Sequence, residues 1–205
     1  PNHPEIQYLG DTFTNSIHEE IFRKIVDMRD LDFNSDILKS KYERSYTKER
    51  KYTGVSREAL SQSNFITGEH AKRNAERIKS IFGNVKIIYV IRDQISMLES
   101  IYSQYIKMGG TRSFNNWFLD PIECRGIIER LKYDKNIQMY YDIFGKDNVL
   151  VLLYDELKED KQKFINKIFT FIGVKTNIKL LKQKQKKVNS SLTTVGGLFL
   201  RIMNK

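Results

Sequence analysis

The run VKIIYVIRDQISMLESIYSQY, residues 85–105, restricts the fold more than any other part of the chain. Val85, Ile87, Ile88, Tyr89, Val90 and Ile91 are apolar at odd and even positions alike, so a strand here has two apolar faces. It is predicted to be a central strand of a parallel sheet, buried on both sides. The strand stops at Arg92-Asp93, and a helix carrying Ser96, Ser100 and Ser103 begins at once. Ligands of open α/β sheets bind outside the carboxyl ends of strands, which makes Arg92 the first candidate contact.

The rest of the chain alternates in keeping with such a sheet. Ile17, Ile21, Ile25 and Met28 predict a helix over 16–28. Residues 31–50 are polar and read as one or two helices with a loop. A short strand is expected at 51–56. A helix over 69–82 presents Ala71, Ala75, Ile78 and Phe82 and ends at Phe82-Gly83-Asn84. The helix after Arg92 runs over 94–108, with Ile95, Leu98, Tyr102, Tyr105 and Ile106 as its stripe, and Gly109-Gly110 ends it. Another element begins over 113–118. One long helix is expected over 127–144, using Ile128, Leu131, Ile137, Tyr141 and Phe144 as core contacts. A second apolar strand is expected at 149–154. A helix over 161–172, through Phe164, Ile168, Phe171 and Ile172, is stopped by Gly173. Residues 179–197 are a basic run and a small polar stretch, and 198–203 suit a last helical turn or two. This order predicts an α/β domain, a three-layer sandwich with a central parallel β-sheet flanked by helices, and one domain over 1–205. The aromatic group Trp117, Phe118, Tyr140 and Tyr141 is assigned to the core.

Charge narrows the partners. Lys and Arg number 35 against 25 for Asp and Glu, a formal +10, which favours an anionic partner such as a phosphorylated nucleotide, an acidic glycan, nucleic acid or a membrane surface. No apolar run reaches the roughly 18 residues a bilayer span needs. The opening PNHPEIQYLGD lacks the basic and apolar regions of a signal peptide. A single cysteine, Cys124, read as a half-buried structural thiol, excludes an internal disulfide framework and paired-cysteine zinc sites. The three histidines are scattered, so no metal is expected. These features point to a reducing compartment, and a cytoplasmic location is expected.

Spacing alone leaves two readings of the strand end. In one, Arg92 gives a phosphate a charged fork, Ser100 adds a hydroxyl, and the helix amino terminus adds N–H groups. In the other, Arg92 pairs with Asp93 or another carboxylate and Ser100 faces a neighbouring helix. Spacing favours the second.

Taken together, the segments resemble the PAPS-dependent sulfotransferases, a P-loop-like α/β family, through most of the chain. YVIRDQISMLESIYSQY is similar to that family's 3′-phosphate segment, a strand ending in Arg with Ser eight residues on. The stretch 144–174 is similar to the family's later strand, which ends in an acidic Y-E/D-L, and its subsequent helix to F-L/I-G-V. NHPEIQYLGD resembles the segment after the first helix of many members, and KKVNSS resembles the basic loop over the cofactor. The resemblance implies that Arg92 and Ser100 contact the 3′-phosphate of 3′-phosphoadenosine 5′-phosphosulfate (PAPS), with adenosine 3′,5′-bisphosphate (PAP) as product. It gives Lys186 and Lys187 a covering role.

Three departures stand out. Gln94 occupies a position where many relatives have proline. The tail lacks Arg-Lys-Gly. The family's 5′-phosphosulfate loop, of the type K-x-G-T-T/S-S-L, precedes the HPEI region and does not occur within these residues, and it is expected to lie upstream of Pro1.

The resemblance implies in-line sulfuryl transfer, driven by positioning and cationic donors, with a general base taking the acceptor's proton. Relatives place a histidine or glutamate after the second strand. Here Glu58 in YTGVSREALSQSN is the expected base and His70 the second candidate, while His3 and His18 are taken as surface or structural. A helix-capping carboxylate, with Ser56 as cap, competes for Glu58. The expected acceptor is a hydroxyl on a carbohydrate or lipid-linked glycan. Two rivals remain. A non-catalytic nucleic-acid binder fits +10, yet no RNP, KH, zinc-finger or helix-turn-helix pattern is present. Another nucleotide-binding P-loop domain should show G-x-x-x-x-G-K-[ST], which these residues lack.

Overall fold

The computed structural model describes residues 5–8, 17–45, 51–56, 60, 70–175 and 203–204, and the side chains of 17, 18, 45 and 122–125, His18 and Cys124 among them, lie outside that description. Two pairs of parallel strands organise the described chain. β1 (Ile6–Tyr8) pairs with β2 (Tyr52–Gly54), and β3 (Ile87–Ile91) pairs with β4 (Val149–Leu153). The second pair runs in register from Ile87 opposite Val149 to Ile91 opposite Leu153. Parallel pairing is as expected, but the described strands form two small sheets where the sequence predicts one central sheet.

Helices supply the remaining layers. α1 (Ile17–Asp27), α2 (Ser35–Ser45) and α3 (His70–Phe82) precede β3. α4 (Gln94–Lys107), α5 (Phe114–Phe118), α6 (Pro121–Leu131) and α7 (Tyr133–Phe144) separate β3 from β4. α8 (Tyr154–Glu159) and α9 (Lys161–Ile172) come after β4. Ends obey local chemistry: Asp93, Ser113 and Asp160 cap α4, α5 and α9 by accepting the N–H three residues on, and Gly173, at φ 71°, ends α9 in the left-handed region.

The main core joins the apolar stripes of α1, α3 and α7 with β4. Ile21 and Ile25 are fully buried, as are Ala75 and Ile81, and Tyr140, Phe144 and Val149 close the cluster. A second core, around Ile101, Trp117 and Ile127, lies between α4, α5 and α6. The expected aromatic group is therefore divided: Trp117 and Phe118 belong to this second core, Tyr140 and Tyr141 to the first.

Three expectations about burial and helix limits fail. β3 is not buried on both faces: Ile88 and Val90 are 38% and 44% exposed. One face of β3, through Ile87 and Tyr89, packs on the main core, while the other carries the exposed Ile88 and Val90. The long helix over 127–144 is broken at Lys132, whose ψ of 65° is not helical. A single helical stripe cannot run through that break, so Ile127 is buried and Ile128 is 42% exposed. Ile95, assigned to the stripe of α4, also faces outward.

Arg77 of α3 is a buried strut in the core. It donates to the Ile25 carbonyl at 2.8 Å and to Asp30 at 2.6 Å, and its guanidinium lies 4.2 Å from the Phe33 ring centroid. Arg73 donates to the Val26 carbonyl at 2.8 Å. These carbonyls end α1 and lack helical partners, so α3 closes the helix from outside. Burial, reinforced by neighbouring Arg73, pulls the Arg77 guanidinium below its ordinary value, and Asp30 opposes the shift.

Candidate functional site

Register brings the site together. Ile91 lies opposite Leu153, so the next residues on the two strands, Arg92 and Tyr154, emerge side by side at the carboxyl edge of the sheet. The Arg92 guanidinium stands over the Tyr154 ring, 5.5 Å from its centroid, and Lys158 approaches the same ring at 4.9 Å. A ring face is electron-rich and holds cations without neutralising them. Lys158 also pairs with Asp155 at 2.7 Å, and Lys167 pairs with Glu156.

Arg92 is not an ion-pair partner of Asp93. Its Nε is buried without a hydrogen-bond partner, and it makes no ion pair among the described residues. Asp93 instead caps α4, its Oδ1 accepting the Ser96 N–H at 2.9 Å. That bond, with a second from the Ser96 side chain, holds the Asp93 carboxyl below the ordinary carboxylate value, and Arg92 adds a smaller pull. The cap also corrects an expectation. The Ser96 N–H at the start of α4 serves Asp93 and is not free for a ligand.

A half-buried Arg whose Nε has no hydrogen-bond partner among the described residues, at the end of a parallel strand, has the donors to receive an anion. Ser100 lies on α4 about 9 Å of helix beyond Gln94. It is exposed, and its hydroxyl has no partner among the described residues. Arg92 and Ser100 thus border the first turns of one helix.

Tyr133, the first residue of α7, also reaches this edge. Its hydroxyl meets the Arg92 backbone in an interaction that favours the ionised phenol, as an N–H donor does. Burial outweighs that contact and pushes the Tyr133 hydroxyl up, with Asp93 adding to the rise. Tyr89, below it on β3, is raised by burial too.

Other expected residues fall elsewhere. His70 opens α3, half-buried, and its Nδ1 lies 3.1 Å from Arg73 Nη2, beside the end of α1. No described contact joins it to Arg92. Glu58, Lys186 and Lys187 lie outside the described residues. Sequence reasoning misses Tyr154 and Tyr133. A signal for Tyr154 exists, because two five-residue strands ending in register put their next residues together. No local pattern points to Tyr133.

Residues 8–195 match the sulfotransferase domain family. Sulfotransferase 2A2 of Rattus norvegicus is 30% identical over 104 residues, 47% of this chain and 35% of that protein, so the match spans about a third of that relative. The fold is similar to that of a sulfotransferase from Alicyclobacillus acidocaldarius, with a TM-score of 0.60, 19% identity, and coverage of 86% of this chain and 74% of that one. A mouse sulfotransferase, SULT7A1, complexed with PAP, aligns with a TM-score of 0.40, 16% identity, and coverage of 100% of this chain and 65% of that one. With its parallel strands and mixed α/β order, the chain belongs to the sulfotransferase domain family.

Proposed function

We propose that this chain forms the cofactor-binding body of a PAPS-dependent sulfotransferase, an enzyme whose 3′-phosphate site is Arg92 and Ser100. The observation that carries the reading is Arg92: a guanidinium at the carboxyl edge of a parallel pair, held on a ring, its Nε buried and without an acceptor. A phosphate oxygen supplies the missing acceptor, and Ser100 gives a neutral donor to the same group. The strand pairs belong to one central sheet in a three-layer sandwich, and 1–205 act as one domain.

Bound PAPS supplies the sulfuryl group. Glu58 takes the proton of an acceptor hydroxyl as its oxygen bonds to sulfur, and the bond from sulfur to the 5′-phosphate oxygen breaks. His70 is the second candidate for that base. With Nδ1 facing Arg73, its Nε2 is the nitrogen left for proton transfer. Lys186 and Lys187 cover the nucleotide. The acceptor is a carbohydrate or lipid-linked glycan hydroxyl.

Thermal unfolding of the full-length protein tests this reading. PAP at saturating concentration should raise the melting temperature, whereas ATP with magnesium should leave it unchanged. Stabilisation by ATP-magnesium alone, or steeply salt-dependent stabilisation by oligonucleotides alone, would sink it in favour of a different nucleotide or nucleic-acid binder.

A further inference from the structure

Helix α6 ends in a way that involves the site. Its last carbonyls have no helical partners because the chain turns at Lys132. Asn136 of α7 takes those of Glu129 and Arg130, at 3.3 and 3.4 Å. The next carbonyl, Leu131, accepts from Gln94 Nε2 at 2.9 Å. Gln94 opens α4 directly after Arg92-Asp93, so the end of α6 is closed by the turn that carries the proposed phosphate contact. One residue past the break, Tyr133 stands close enough to the Arg92 backbone for it to pull the phenol down against burial. The α6–α7 junction is therefore tied to the turn just after Arg92 from a region 37 residues away in sequence.

We infer that Gln94 and Tyr133 are positioning residues that fix the Arg92 backbone so that its guanidinium meets the 3′-phosphate. This rests on the proposed sulfotransferase function. A long arginine side chain is flexible, and a phosphate contact gains from a backbone whose direction is already set. One end of the turn is so fixed here, the Gln94 side chain by the Leu131 carbonyl, and Tyr133 stands close to the other. Gln94 is exposed, and a neutral hydrogen bond at an exposed position adds little to global stability. Its loss should be read in ligand preference rather than in melting. Proline at this position would suit the first turn of α4 but could not make the contact.

The affinity ratio of PAP to adenosine 5′-monophosphate isolates the 3′-phosphate contact. It is measured by calorimetry on full-length wild type, Arg92→Ala, Gln94→Ala, Gln94→Pro and Tyr133→Phe. The inference expects the ratio to fall roughly tenfold in the Gln94 and Tyr133 variants, with monophosphate affinity and melting temperature near wild type. If Tyr133→Phe is poorly folded, the exposed Gln94 pair carries the test. A wild-type ratio kept in the Gln94 and Tyr133 variants but lost in Arg92→Ala overturns the inference and leaves the function standing. Equal loss for both nucleotides shows a general structural role and also overturns it. A wild-type ratio near one overturns the function itself, and this inference with it.

Discussion

Arg77 and Arg92 are both drawn out of water, but the fold satisfies only the first. Arg77 has two carbonyl acceptors, a carboxylate and a ring within reach, all holding α1 to α3. Arg77→Ala orphans the Ile25 carbonyl and opens a cavity beside Phe33, and should cost about 2–3 kcal/mol in denaturant unfolding. Arg92 has a ring and no acceptor for its Nε. Arg92→Ala removes no side-chain hydrogen bond among the described residues, so its unfolding free energy should stay within about 0.5 kcal/mol of wild type. A midpoint shift as large as that of Arg77→Ala would mean that Arg92 is a structural strut.

At the scale of elements, legibility depends on how local the cause is. α9 is legible to its last residue because the Asp160 cap, the apolar stripe and Gly173 all lie within the segment. α4 is legible within one residue for the same reason, with its Asp93 cap immediately before it in the chain. Asp93→Ala should cost about 1 kcal/mol, measured by chemical unfolding, and an unchanged midpoint would contradict the cap's contribution. The break between α6 and α7 is not legible, because the groups that close α6 come from Asn136 and from distant Gln94. The second face of β3 departs from expectation because period and apolarity state what a strand could bury, not which neighbour arrives to bury it. Within the site, Arg92 and Ser100 are visible as a motif, whereas Tyr154 and Tyr133 depend on register and on a helix break.

Among the described residues of the whole molecule, Tyr89, Tyr133 and Tyr140 have hydroxyls raised by burial, Tyr140 the most. Unfolded tyrosine ionises near pH 10. Below that value both states keep the proton and the phenols add no pH dependence. Above it the unfolded chain loses protons that the native state retains, so stability falls as pH rises past about 10. Tyr140→Phe should flatten that alkaline limb in denaturation curves taken from about pH 8 to 11, and an unaltered limb would show that Tyr140 is not its source. The β3–β4 pair ends just before Arg92, whose Nε has no partner among the described residues. The most direct test is calorimetric titration of the full-length protein with PAP, in wild type and in Arg92→Ala/Ser100→Ala. If these residues are the phosphate site, wild type binds in the micromolar range and the folded double variant loses about 2–4 kcal/mol, the scale of a charged phosphate contact. Equal affinity in the two proteins would contradict the assignment of Arg92 and Ser100.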